Sequence, residues 1–363
     1  MNKTKLSNHV KLIAFFLTAV ILVCTFGFTV DGWLMVSEDE NPSPEVNLPT
    51  NPPAQDSITK PDTYIPEFVN RLTGLEATKE ITETTPLAFI MDSSDGCYGI
   101  SRSDILVEIP IEDGKTRLIS FITDINELWK IGPLSSSRGY ITNTIKYFGG
   151  VAVYKGRDDK IKYDSCDISQ NSLDLSLKEG YYYTEYQSKV YTNFDLITAG
   201  LKTYGINIID NESVSLPYAF NGFGNEDIQF NKSAIEIDIT RTDTKRIKLS
   251  FNEETGKYLY LENGNKKIDA LNGQAIDFTN CFVLFADSVT YDNSQCSQMI
   301  MDTIGSGTGY YITNGSLTEI KWNASKTGIM NLYLSTGRKL VINRGNSYIC
   351  YMKSSKTNNI LFK

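Results

Sequence analysis

The sequence predicts an α+β fold: a mixed α/β N-terminal domain and a β-rich antiparallel C-terminal domain, preceded by one transmembrane helix. Three observations predict it. An uncharged apolar run near the N-terminus is long enough to cross a bilayer. Strand patterns then mix with helical ones up to about residue 229, and after residue 230 short alternating runs recur between turn signals.

The apolar run is Leu12 to Val30, 19 residues without a charge. A helix rises about 1.5 Å per residue, so the run spans roughly the hydrocarbon core. Lys3, Lys5 and Lys11 precede it, and Asp31, Glu38, Asp39 and Glu40 follow. Positive charge stays inside, so residues 1–11 are expected in the cytoplasm, 12–30 act as a signal anchor, and the bulk lies outside. The expected location is the cell membrane, crossed once, with the N-terminal helix as the contact to lipid. Two other readings compete. A cleaved signal needs a small-residue site, and Asp-Gly-Trp-Leu-Met follows Val30. Lipidation at Cys24 needs a small residue before it, and Val23 stands there.

Residues 31–70 read as an extracytoplasmic linker. Seven of the eleven prolines fall within residues 37–66, among acidic and small polar residues, a composition that makes an extended spacer rather than a core.

The first domain spans 71–229. Pro86 to Asp92, Asp104 to Ile111 and Thr116 to Thr123 read as strands, rich in β-branched and aromatic residues. Ile141 to Phe148 reads as a short helix leading into a strand over Val151 to Tyr154. Asn193 to Tyr204 reads as a helix with Asn193 as its cap and Gly205 as its stop. The second domain spans 230–355, with a tail at 356–363. Its runs AIEIDI, IKLSF, YLYLE, CFVLFAD, LTEIKW, MNLYLS and YICYM are split by turn signals at 254–257, 263–265, 313–315 and 335–337, the pattern of antiparallel hairpins.

Composition excludes several chemistries. The net charge is −8 and the pI about 5.0, which opposes binding to phosphate backbones, so no nucleic-acid partner is expected. His9 is the single histidine and lies in the N-terminal flank. A Ser-His-Asp or Cys-His arrangement therefore cannot form beyond the anchor, and catalytic zinc loses its usual ligand. No Cys-x-x-Cys occurs, so no metal and no cofactor are expected. Five cysteines lie beyond the anchor, an odd number; Cys281 with Cys296 is the pair to test for a disulfide.

The polar constellation that stands out is Asp104, Glu108, Arg117, Ser136 and Arg138. Asp104 and Glu108 have even spacing on one strand and should share a face. Arg117 starts the next strand and could lie opposite. Arg138 follows a Gly-Pro turn and the serine run 135–137, where hydroxyls and backbone N–H groups could hold an anion. The functional reading is a cleft for a glycan, carboxylate or phosphate; the competing one is a buried ion-pair network. Gly305 to Gly309 superficially matches a phosphate loop, but a strand pattern follows it, so it reads as a turn or bulge. Tyr181, Tyr182, Tyr183, Tyr186 and Tyr191 make either a sugar-stacking or protein-binding surface, or an edge strand packed on the core.

Several ordered motifs carry a family resemblance. They are Leu72-Thr73-Gly74-Leu75; the strand Pro86 to Met91; Ser101 to Glu108 with Gly114 to Leu118; Lys130 to Tyr140; Phe251 to Asp269; and Asp302, Ile304 to Tyr310 and Asn314-Gly315. From about Arg71 to Lys353 the chain resembles the YerB-like proteins of Gram-positive bacteria, domain of unknown function 3048. The resemblance implies a membrane-attached envelope protein with an N-terminal and a β-rich C-terminal domain, and it carries no activity with it. Ser135 stands where the family has Arg, and family histidines are absent around 154–157 and 188–192, which marks a divergent member.

The expected function is thus a non-enzymatic extracytoplasmic protein that binds a cell-wall component, such as glycan, or an envelope protein partner. The alternative is a carboxylate-dependent enzyme on cell-wall glycan, since two carboxylates suffice for that reaction without histidine.

Overall fold

A computed structural model describes residues 64–93, 96–157, 172–177, 179–209, 215–242, 244–292 and 297–363. Residues 1–11, the apolar run 12–30 and nearly all of the linker lie outside them. No helix among the described residues is long and apolar enough to cross a membrane.

The fold is mostly β, with 45% of the described residues in strands and 14% in helix. The helices sit close to where they are predicted, at Gly139–Tyr147 and Phe194–Thr203, joined by a short one at Lys79–Glu83. They are too few to make the first segment an α/β layer structure. Asn193 caps the helix Phe194–Thr203, accepting from the Leu196 N–H at 2.9 Å.

A 14-stranded sheet forms the frame. At its centre lie, side by side, Asn280–Ala286, Ser347–Lys353, Ile105–Pro110, Thr116–Ile122 and Leu87–Asp92. The segments 71–229 and 230–355 therefore share one sheet. Hairpins in it are antiparallel as predicted, but Ser347–Lys353 runs parallel to both of its neighbours, Asn280–Ala286 and Ile105–Pro110. Parallel strands need both faces covered, and here both are. Asn280–Ala286 is buried along its whole length.

Alternate residues supply the two faces. Leu106, Leu118, Cys281, Val283, Tyr348 and Cys350 point to a core shared with Ile237, Ile247, Leu249 and Tyr260 of a second, six-stranded sheet. Ile105, Val107, Ile119, Phe121, Phe282 and Tyr351 belong to the opposite core, under Tyr140, Ile141 and Ile145 of the helix Gly139–Tyr147.

One sequence expectation changes. Gly305 to Gly309 forms no turn; it opens the strand Gly305–Thr313. A Cβ on Gly307 would fall 2.4 Å from the Phe285 carbonyl, and one on Gly309 would fall 2.3 Å from that of Val283, so the glycines serve close strand approach. Cys281 is a fully buried thiol, and Cys296, the other half of the pair to test, lies outside the described residues.

Candidate functional site

The five sequence candidates do not meet in one cleft. Hairpin register divides them. Glu108 pairs across the ladder with Leu118, while Arg117 pairs with Ile109 on one side and Asp92 on the other. Because side chains alternate along a strand, Arg117 and Glu108 project from opposite faces of the sheet.

Glu108 has no exposed surface. Its Oε1 accepts from Thr116 Oγ1 at 2.8 Å and from Lys245 Nζ at 2.9 Å, with Arg241 Nε at 3.6 Å. Its Oε2 accepts from the hydroxyls of Tyr348 at 2.7 Å and Tyr260 at 3.0 Å. Burial alone raises a carboxyl pKa, but Lys245, Arg241 and the donated hydrogen bonds outweigh it and hold Glu108 well below its usual range. A carboxylate so engaged has neither the access nor the proton affinity of a general acid.

Asp104 lies half-buried ahead of the same strand with separate partners, accepting from the Thr123 N–H at 2.8 Å and from Asn70 Nδ2 at 3.0 Å. Desolvation outweighs those bonds and pushes its pKa up to about 6.

On the other face Arg138, nearly fully buried, pairs with Glu112, and the Tyr140 hydroxyl donates to the Pro110 carbonyl at 3.0 Å. Arg117 lies half-buried near this pair and Asp92. Burial lowers its pKa, Asp92 opposes that and Arg138 adds to it. Ser136 is half-buried on an extended segment: the Ser135 N–H donates to the Ile90 carbonyl at 2.8 Å, and the Ser137 N–H to the Gly156 carbonyl at 2.9 Å.

The tyrosine cluster divides too. Tyr181 and Tyr182 pack against the core, and Lys155 Nζ sits 3.7 Å over the Tyr182 ring. Tyr183 and Tyr191 belong to a different assembly. Their rings stack at 6.0 Å, Tyr191 meets Tyr98 edge-on at 5.8 Å, and Tyr98 meets Trp129 edge-on at 5.9 Å. Lys130 Nζ lies 4.0 Å from the Tyr98 centroid and 4.1 Å from that of Tyr191, and donates to both oxygens of Glu185 at 2.8 and 2.7 Å. The cation locks the rings while its charge is neutralised. Trp129 remains 59% exposed and Tyr186, beside Glu185, 84%. Pairing of Ile131–Leu134 with Val190–Thr192 brings the two stretches together. Sequence reasoning found the tyrosines but missed Tyr98, Trp129, Lys130 and Glu185. The available signal was an indole beside a lysine immediately before a strand.

Comparison with known families matches two regions. Residues 72–207 match the N-terminal domain, and residues 235–349 the C-terminal domain, of the protein of unknown function DUF3048, together well over half of the chain. The chain belongs to the DUF3048 family. Among solved structures it is similar to the YerB protein from Bacillus subtilis, with a TM-score of 0.69 and 17% identity over 82% of this chain and 100% of that one. At that identity the likeness establishes the fold alone. No curated protein matches. In this DUF3048 chain the central strand Ser347–Lys353, reached by the C-terminal family region, pairs with Ile105–Pro110 from the N-terminal one. Asp269 binds the two regions again: it accepts from Gly99 N at 2.9 Å, Ser101 N at 2.8 Å and Ser101 Oγ at 2.6 Å.

Proposed function

We propose that the chain is a non-enzymatic protein of the cell envelope, held to the membrane by residues 12–30, that binds wall glycan through the aromatic patch around Trp129. The observation that carries this reading is the exposed indole on a rigid aromatic base, next to a neutral Lys130–Glu185 pair. A sugar ring offers apolar C–H faces to an aromatic ring and hydroxyls to polar groups at its rim. A balanced ion pair supplies both donor and acceptor without selecting for charge.

Among the described residues no geometry favours a carboxylate-dependent enzyme acting through Asp104 and Glu108. Among the described residues Asp104 and Glu108 share no hydrogen-bond partner, and both oxygens of Glu108 are occupied. The proposal is tested by co-sedimenting the detergent-solubilised full chain with purified peptidoglycan. Binding by the wild type that is lost on Trp129→Ala supports it. Absence of binding, or binding that Trp129→Ala leaves intact, counts against it.

A further inference from the structure

The two charged clusters, on opposite faces of the sheet, converge at the turn of the Ile105–Ile122 hairpin. A pocket of about 120 Å³ opens there. Glu112, the partner of Arg138, lines it, as do Thr116 and Arg241, partners of Glu108. Lys115, Lys353 and Lys356 complete its charged wall with Asp113.

Arg241 is 5% exposed. Its Nη1 donates to the Tyr351 carbonyl at 2.9 Å and its Nε faces Glu108, but its Nη2 is buried and makes no hydrogen bond. Lys356 Nζ donates to the Arg241 carbonyl at 3.0 Å, which ties the C-terminal segment to the pocket wall. Among the described residues the ammonium groups of Lys115 and Lys353 have no acceptor. Arg241 is balanced by Glu108 and Glu112 by Arg138, so the described lining leaves Lys115, Lys353 and Lys356 against Asp113, a surplus of two cations.

We propose that this pocket binds a phosphate group, as a phosphomonoester or the inorganic ion. A phosphate monoester carries about −1.5 to −2 charge at neutral pH and three strong acceptor oxygens, enough to balance the surplus of two cations. A single carboxylate balances only one. The site is independent of the aromatic patch: it lies at the far end of a different hairpin and shares no residue with it.

The test is calorimetric titration of the full chain in detergent with inorganic phosphate, glycerol phosphate and acetate. The two phosphates bind, acetate binds about 10-fold more weakly or not at all, and added salt weakens all binding. The double variant Lys115→Gln, Lys353→Gln loses about 10-fold or more in phosphate affinity with an unchanged melting temperature, since both lysines stand clear of the core. Lack of phosphate binding by the wild type, equal binding of acetate, or unchanged affinity in the double variant overturns the proposal. Repeating the phosphate titration in neutral nanodiscs and in nanodiscs containing phosphatidic acid identifies the source. Competition by the lipid assigns a membrane headgroup, and its absence a soluble ester. The variant Trp129→Ala keeps phosphate binding, so loss of one site is not read as loss of the other.

Discussion

The Tyr348 hydroxyl donates a 2.7 Å hydrogen bond to Glu108, joining residues 240 positions apart at the centre of the molecule. Tyr260 from the second sheet reaches the same oxygen. One buried carboxylate therefore fastens both family regions and both sheets, with Lys245 and Arg241 balancing its charge.

Glu108→Gln leaves the buried Arg241 without its carboxylate and the half-buried Lys245 with Glu262 alone, at 3.5 Å. Removing one partner of a buried ion pair costs about 3–5 kcal/mol. Urea unfolding of the full chain in detergent should show a loss of that order. The pH dependence follows from the lowered pKa. Folding keeps Glu108 ionised below the point where the unfolded chain protonates it. Its contribution is therefore complete above about pH 4.5 and falls away as pH drops below that. Acid titration of wild type and variant should show a steeper loss below pH 4.5 in the wild type than in the variant.

Asp104 behaves in the opposite sense. Its pKa is raised to about 6, so between roughly pH 4 and 6 the folded chain binds a proton that the unfolded chain has released. Stability then falls as pH rises through that window, by about 2–3 kcal/mol. In Asp104→Asn this slope disappears, although the loss of one acceptor lowers stability by about 1 kcal/mol at every pH. Denaturant midpoints measured from pH 4 to 7 separate the slope from the offset.

Asp269 is fully buried and accepts four hydrogen bonds, from Gly99, twice from Ser101, and from Leu271. Asp269→Ala strands these donors and is expected to cost about 3 kcal/mol or more. The loss should appear as earlier hydrogen exchange at the Gly99 and Ser101 amides.

Gly309→Ala places a methyl against the Val283 carbonyl and forces the Gly305–Thr313 and Asn280–Ala286 strands apart. Overpacking of this kind costs about 1–3 kcal/mol. A lowered melting temperature with unchanged phosphate affinity is the expected result.

Much of the fold was legible in the sequence, for local reasons. The helix Phe194–Thr203 carries its own cap in Asn193, and the strands Leu87–Asp92, Ile105–Pro110 and Thr116–Ile122 carry their apolar runs. The parallel pairing of Ser347–Lys353 with Ile105–Pro110 left no local trace, because its partners lie about 240 residues apart and no turn sets their register. Arg117 was misplaced for a local reason, the register of its own hairpin. Its position at the start of a strand was readable, but its face depended on the register with Ile109. Glu108 was found by charge in an apolar strand, whereas Lys245 and Arg241 look like ordinary residues of a polar turn. Trp129 was missed because its setting depends on Tyr98, which the fold brings against it and Tyr191 backs.

The central claim is that Trp129 is the platform for a wall sugar. Calorimetric titration of the full chain in detergent with a soluble, uncharged peptidoglycan-derived glycan, in wild type and Trp129→Ala, tests it most directly. A lost stacking contact of about 1.4 kcal/mol corresponds to a tenfold weaker Kd, so the account predicts at least that loss with an unchanged melting temperature. Equal Kd values for the two proteins, or no binding by the wild type, would contradict it.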